Sequence, residues 1–253
     1  MITTLKKDLL SVQIYETRKK MGNDAALLAA EKIRNLLKIR DSISIIFAAA
    51  PSQNEFLEAL SIQPGIDWNR ITAFHMDEYV GLAADAPQGF GNFLKRSIFN
   101  KVPFKNIFYL NGNATDLQKE CNRYSSLLNT YHPEIVCMGI GENTHIAFND
   151  PHVARFDDPQ TVKVVDLDQQ CRQQQVNDGC FESIEQVPTH ALTLTIPTLL
   201  RPEALFCVVP GEHKAQAVFL TLNENIKSNY PATSLRNHRN ATLFLDRDSA
   251  KMI

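Results

Sequence analysis

The chain has 253 residues, 44% of them hydrophobic, with 26 basic and 28 acidic side chains and a formal charge of -2. A chain of this length buries about 70–75% of its unfolded surface and needs no disulfide or structural metal to fold. The balanced charge provides no field for nucleic acid or an anionic membrane, and the longest apolar run, Ile43 to Pro51, falls far short of the ~20 residues of a membrane helix.

Two helices are predicted first, over Lys6–Lys20 and Asn23–Leu37. In the second, Leu27, Ala30, Ile33 and Leu37 recur at helical spacing and mark one buried face. Ile43–Ala50 (ISIIFAAA) is a short apolar run and reads as a buried strand, followed by a helix over Pro51–Leu60. A strand at Ile71–Met76, a helix over Gly91–Val102, a strand at Asn106–Leu110, a helix over Asp116–Asn129 and a strand at Glu134–Met138 come next. Beyond them, strands are predicted at Thr161–Val165, Ala191–Ile196, Ala204–Val209 and Ala241–Leu245, with a helix over Glu212–Leu222. The polar run Asp166–Gly179 reads as a solvent-exposed helix or as part of a lid around 155–187. Apolar strands alternating with helices imply an α/β fold with a mostly parallel sheet covered on both faces. No linker or repeat divides the chain, so one domain over 1–253 is expected.

The five cysteines include no C-x-x-C pair. Cys137 and Cys207 sit in apolar strands and read as core, while Cys171 and Cys180 flank the polar run. With no signal-peptide core in Met1–Leu10, this suits a reducing cytoplasm.

Ligands of parallel sheets gather beyond the carboxyl ends of the strands, so the turns there carry the functional reading. Pro51-Ser52-Gln53 follows the first parallel strand and Asp77-Glu78-Tyr79 follows Ile71–Met76. Gly139 to His145 follows Glu134–Met138, and Pro210-Gly211-Glu212-His213-Lys214 follows Ala204–Val209. A strand-end carboxylate such as Asp77 is partly desolvated, which raises its pKa toward that of a useful base. The imidazole of His145 can both take and give a proton, and Asp150 is close enough in sequence to hold one ring nitrogen. Taken singly, each residue has a bland alternative, Asp77 as a turn cap and His145 as a structural histidine. Lys214, near a helix start, hints at an anionic ligand. Gly139-x-Gly141 lacks the third glycine of a dinucleotide fingerprint, no phosphate-binding P-loop occurs, and His75, Asp77 and Glu78 lack zinc spacing. Neither a cofactor nor a metal is expected. Trp68 and the phenylalanines read as core.

Phe74 to Leu82 (FHMDEYVGL) resembles the F-x-M-D-E-Y-x-G-L segment of glucosamine-6-phosphate deaminases, and Gly139 to Pro151 (GIGENTHIAFNDP) resembles their G-x-G-x-D-G-H-I-A-F-N-E-P segment. Leu110 to Ala114, Gln186-Val187-Pro188 and Pro210-Gly211 with Lys214 fall in register, so the resemblance runs from about Phe47 to Leu245. It implies a three-layer α/β sandwich with a Rossmann-like sheet and the conversion of an amino-sugar phosphate to a ketose phosphate plus ammonia. It also implies Asp77 as the base at C1 and C2, His145 as the ring-opening histidine, Asn143 and Asp150 as its flanking partners, and Lys214 as a phosphate contact. Ala50, Ser52 and Gln53 occupy the phosphate turn. The chain departs from the pattern at Asn143, where the family has an acid, and at Asp150, where it has Glu. It departs again at Ala48-Ala49-Ala50-Pro51-Ser52, where the family has Gly-Gly-Thr-Pro, and there Ser52-x-x-Glu55 also fits a capping box. No arginine falls in register with the family's phosphate arginine, and Arg172 is the nearest candidate. Lactone hydrolysis, as in the related 6-phosphogluconolactonases, plain isomerisation and non-catalytic sugar-phosphate sensing are the alternatives. The family includes monomers and hexamers, so a homo-oligomer stays open.

Overall fold

The computed structural model describes all residues, 1–253. It opens with a hairpin, β1 (Thr3–Lys7) and β2 (Leu10–Tyr15), where a helix over Lys6–Lys20 was expected. The turn places Asp8 at φ 52, a left-handed conformation that Asp tolerates. Leu10, Val12 and Ile14 are buried and alternate with Ser11 and Gln13, and that period of two, rich in β-branched residues, overrides the helical reading. The helix α1 (Arg18–Ile39) starts at Thr17, whose hydroxyl accepts the Lys20 N–H at 3.2 Å.

Then follow β3 (Ile43–Phe47), a 3-10 turn at Pro51–Gln53, α2 (Asn54–Ser61), β4 (Ile71–His75), β5 (Asp77–Tyr79) and α3 (Phe90–Leu94). A π-helical turn at Lys95–Phe99 extends α3. Next come β6 (Asn106–Phe108), α4 (Leu117–Tyr131), β7 (Ile135–Met138), β8 (Val162–Asp166), α5 (Gln169–Asn177) and β9 (His190–Leu194). The chain closes with α6 (Ile196–Leu200), β10 (Ala204–Val209), α7 (Ala215–Asn223) and β11 (Ala241–Asp246).

Eight strands form the main sheet in the order β1-β2-β11-β10-β7-β3-β4-β6, parallel throughout except at β1–β2. Successive side chains point to opposite faces. Ile43, Ile45 and Phe47 therefore pack with the alanine face of α1 and with α2, while Ile46 and Ala48 pack with Tyr124 and Leu128 of α4 and Val218 of α7. Three layers result. Gly22 allows α1 to lie close on α2, since a Cβ there would sit 2.7 Å from that of Glu55. Trp68 is buried edge-on against Phe104. No helix is long and apolar enough to cross a membrane.

From β3 the connections run outward to β4 and β6; from β7 they run the other way, to β10 and β11. The neighbours β3 and β7 mark the switch point where a doubly wound sheet opens a crevice. The segments expected to prolong the parallel sheet, Thr161–Val165 and Ala191–Ile196, instead form a separate antiparallel sheet, β5-β9-β8. In β8 the exposed Val164 and Asp166 alternate with buried neighbours, as suits a sheet covered on one face. Asp77, the first residue of β5, pairs with Thr193 of β9.

Candidate active site

A cavity opens at the β3–β7 crevice. Ala48–Ala50, Ser52 and Gln53 line it from beyond β3, Met76 and Asp77 from beyond β4, Gly139–Gly141 and His145 from beyond β7, and Lys214 from beyond β10. All four strand-end turns singled out in the sequence converge there. The polar run is a helix, α5, and it is not solvated all round: Cys171, Gln174 and Gln175 are buried, and Gln174, Gln175 and Asp178 face the cavity.

Asp77 is 7% exposed. Burial, reinforced by the neighbouring Glu78 carboxylate, pushes its pKa well above the usual range, with no hydrogen bond or cation to offset it. Glu78 points elsewhere and accepts the N–H groups of Tyr79, Phe90 and Gly91 at 2.9–3.0 Å, closing the start of α3. The backbone of Asp77 is held by His75, which is fully buried. Leu110 N–H donates to His75 Nε2 at 2.9 Å, which leaves the ring proton on Nδ1 to donate to the Asp77 carbonyl at 2.8 Å. Burial lowers the His75 pKa to about 4, so the ring stays neutral.

His145 stands on a strained turn in which Thr144 (φ 69) and Ala147 (φ 48) both adopt left-handed conformations, at about 1–2 kcal/mol each. The imidazole lies flat against Gly141, where a Cβ would come within 2.1 Å of the ring. Its Nδ1 meets Asn143 Oδ1 at 2.7 Å and Asp150 Oδ1 at 3.1 Å. Asn143 Nδ2 donates to Asp150 Oδ1 at 3.0 Å, so the amide oxygen is the atom turned toward the ring. Both neighbours of Nδ1 are acceptors; the proton therefore sits on Nδ1 and Nε2 carries the lone pair. The shorter Asp150 side chain thus reaches the histidine. Burial alone would raise the Asp150 carboxyl, yet hydrogen bonds from His145 and Asn143 outweigh it and hold its pKa below the usual value.

Lys214 is 3% exposed and forms no ion pair. Burial lowers its pKa against the pull of Asp178 and Glu142. Ligand atoms of Glu142, Asp178 and His213 lie within 4.8 Å of one another, and the first two are the carboxylates whose charge acts on Lys214. The capping box at Ser52 does not form. Glu55 pairs with Arg18 of α1 at 2.7 Å, and Arg18 also donates to the Pro51 carbonyl. The turn has no side-chain cap. Gln53 is buried; its amide donates to the Val208 carbonyl at 3.1 Å and to Ser52 Oγ at 3.0 Å, leaving Oε1 without a donor.

Arg172 does not reach the cavity. Its Nη2 donates to the carbonyls of Ile184 at 2.6 Å and Val187 at 2.9 Å, so it braces the loop after α5. The residues that α5 does present are Gln174, whose Oε1 accepts Glu142 N–H at 2.8 Å, and Gln175, whose Oε1 accepts the Tyr79 hydroxyl at 2.8 Å. These glutamines and His75 were not singled out for the site from sequence.

Comparison with known proteins agrees with this geometry. A family model described as glucosamine-6-phosphate isomerases/6-phosphogluconolactonase matches residues 16–244. The glucosamine-6-phosphate deaminase of Listeria innocua is 36% identical over 211 residues, covering 83% of this chain and 88% of the relative. That of an Exiguobacterium species is 33% identical over 231 residues, 91% of this chain and 89% of the relative. The solved structure of a monomeric glucosamine-6-phosphate deaminase superposes with a TM-score of 0.86 at 30% identity, covering 96% of this chain and 99% of that one. A 6-phosphogluconolactonase from Thermotoga maritima shares the fold, with a TM-score of 0.75 at 20% identity over 94% and 99% of the two chains. The chain therefore belongs to the glucosamine-6-phosphate isomerase/6-phosphogluconolactonase family.

Proposed function

We propose that this chain converts an amino-sugar phosphate of the glucosamine-6-phosphate type to a ketose phosphate with release of ammonia. The observation that carries the reading is a single cavity holding a desolvated carboxylate, Asp77, an imidazole with a fixed tautomer, His145, and a buried ammonium, Lys214. Lys214 and the turn at Ala50, Ser52 and Gln53 receive the anionic end of the substrate. His145 Nε2 takes and returns the proton that opens the pyranose ring. Asp77 then removes the proton at C2 and delivers it to C1 through an enolamine intermediate, the amino counterpart of an enediol. The resulting ketimine is hydrolysed by water, leaving ammonia and the ketose. The electrons stay within the sugar, so the sequence of steps calls for no redox cofactor. Substrate also favours the carboxylate form of Asp77, because an ammonium at C2 arrives beside it. Every group comes from one copy of the chain, and the five cysteines are free thiols, which supports a reducing cytoplasmic setting.

The test is ammonia release from glucosamine-6-phosphate and galactosamine-6-phosphate side by side in deuterated water. Ammonia together with deuterium in the ketose supports the reading. Lactone hydrolysis without either overturns it in favour of a lactonase, and ligand-induced melting shifts without turnover overturn it in favour of a sensor.

A further inference from the structure

Asn143 is a neutral amide beside a histidine whose proton shuttling needs a stabilised imidazolium. The structure places a carboxylate one step further out. Asp168, the N-cap of α5, accepts the Cys171 N–H on Oδ1 at 2.6 Å. Its Oδ2 accepts from Asn143 Nδ2 at 3.0 Å, and its own N–H donates to Asp150 Oδ2 at 3.3 Å. The two amide hydrogens of Asn143 are thus divided between two carboxylates, Asp150 and Asp168. The amide oxygen receives His145 Nδ1 at 2.7 Å and the His145 N–H at 3.0 Å. An amide whose N–H groups are held by anions presents a more negative oxygen, because linked hydrogen bonds polarise one another. An aspartate at position 143 would instead bring three carboxylates into mutual contact, and like charges at that range cannot all stay ionised.

We propose that Asp168 is a positioning residue for His145. It supplies, through the Asn143 amide, the charge that would otherwise sit at position 143. Because Asp168 also begins α5, the same carboxylate ties the helix over the cavity to the Asn143 amide, so that the placement of Gln174, Gln175 and Asp178 and the orientation of that amide against His145 share one group. This rests on the reading of His145 as the proton shuttle of the proposed reaction.

The test is a cycle of Asp168→Asn, Asn143→Asp and the double variant. Asparagine caps a helix as well as aspartate does, so Asp168→Asn keeps α5 begun. With its oxygen on Cys171 N–H, its amino group faces the amino group of Asn143, and the amide that fixes His145 loses its orientation. The expected result is a fall in kcat of at least about 10-fold, the scale for removing a carboxylate that orients an active histidine, with KM little changed. The ring-nitrogen NMR resonances of His145 should change from the Nδ1–H form to a mixture of tautomers. Asn143→Asp alone should lose activity similarly. In the double variant the aspartate at 143 accepts from the asparagine at 168 and from His145, so both activity and tautomer should recover above the product of the single effects. Wild-type kcat and tautomer in Asp168→Asn, strictly additive losses, or an Asn143→Asp variant as active as wild type would each overturn the proposal. The NMR measurement uses the resting protein. Failure of wild type to release ammonia would therefore count against the proposed reaction and leave the tautomer result to decide Asp168.

Discussion

Replacing Asp77 by asparagine should separate catalysis from stability, in opposite directions. The side chain is buried and its carboxylate has neither a hydrogen bond nor a cation to offset desolvation, so its pKa is raised above the unfolded value of 3.8. A raised carboxyl pKa means that the folded state holds a proton the unfolded state has released. Stability is therefore intact below the unfolded pKa and is lost as pH rises toward the folded one. Asparagine removes that pH dependence. At neutral pH the variant should be more stable by about 0.5–2 kcal/mol, the usual gain from relieving a strained functional site. At about 2–4 °C per kcal/mol for a chain of this size, Tm should rise by roughly 1–8 °C. Turnover should fall at least ~10²-fold, the lower bound for losing a general base. The assay is thermal melting at pH 7.5 and pH 4 beside ammonia release at pH 7.5. The rise in Tm should be present at pH 7.5 and shrink at pH 4, close to the unfolded pKa of 3.8, where the unfolded carboxyl regains much of its proton. Undiminished turnover would refute the catalytic role, and an unchanged or lower Tm at pH 7.5 would refute the electrostatic argument.

Lys214→Met should raise KM for a phosphorylated substrate by about 10–100-fold, the worth of one charge-assisted hydrogen bond, with a smaller effect on kcat; steady-state kinetics read the split. His75 has a folded pKa of about 4 against 6.5 unfolded, so wild type should lose roughly 3 kcal/mol as pH falls through that window. His75→Gln should flatten that limb of the stability–pH curve, as urea melts at stepped pH would record. Gly141→Ala should cost about 10²-fold in kcat by displacing the imidazole, in line with an ångström of misplacement, while circular dichroism stays that of the folded protein.

What was legible in the sequence divides along a physical line. Strands buried on both faces, such as Ile43–Phe47 and Ile135–Met138, announce themselves by apolar content, and they carry the switch point with them. Asp77 and His145 were legible because they follow two such strands, Ile71–His75 and Ile135–Met138, whose carboxyl ends are where parallel sheets bind ligands, and because the two long motifs agree with the family. The β1–β2 hairpin was misread because Leu10, Val12 and Ile14 lie among lysines that also suit a helix. The second sheet was missed because β5 has three residues, too few for any period to show. That omission matters most for the chemistry. In the main sheet alone, Asp77 would be a strand-end carboxylate free to turn to solvent. Pairing with Thr193 on one side and the His75 contact to its carbonyl hold it inward. His75 and Asp168 act on other residues through a carbonyl, an amide or a helix end, and such roles leave no spacing to read. The side chains of the proposed chemistry, Asp77, His145 and Lys214, were therefore visible in the sequence. The groups that fix their protonation and direction become visible only when the chain is folded around them.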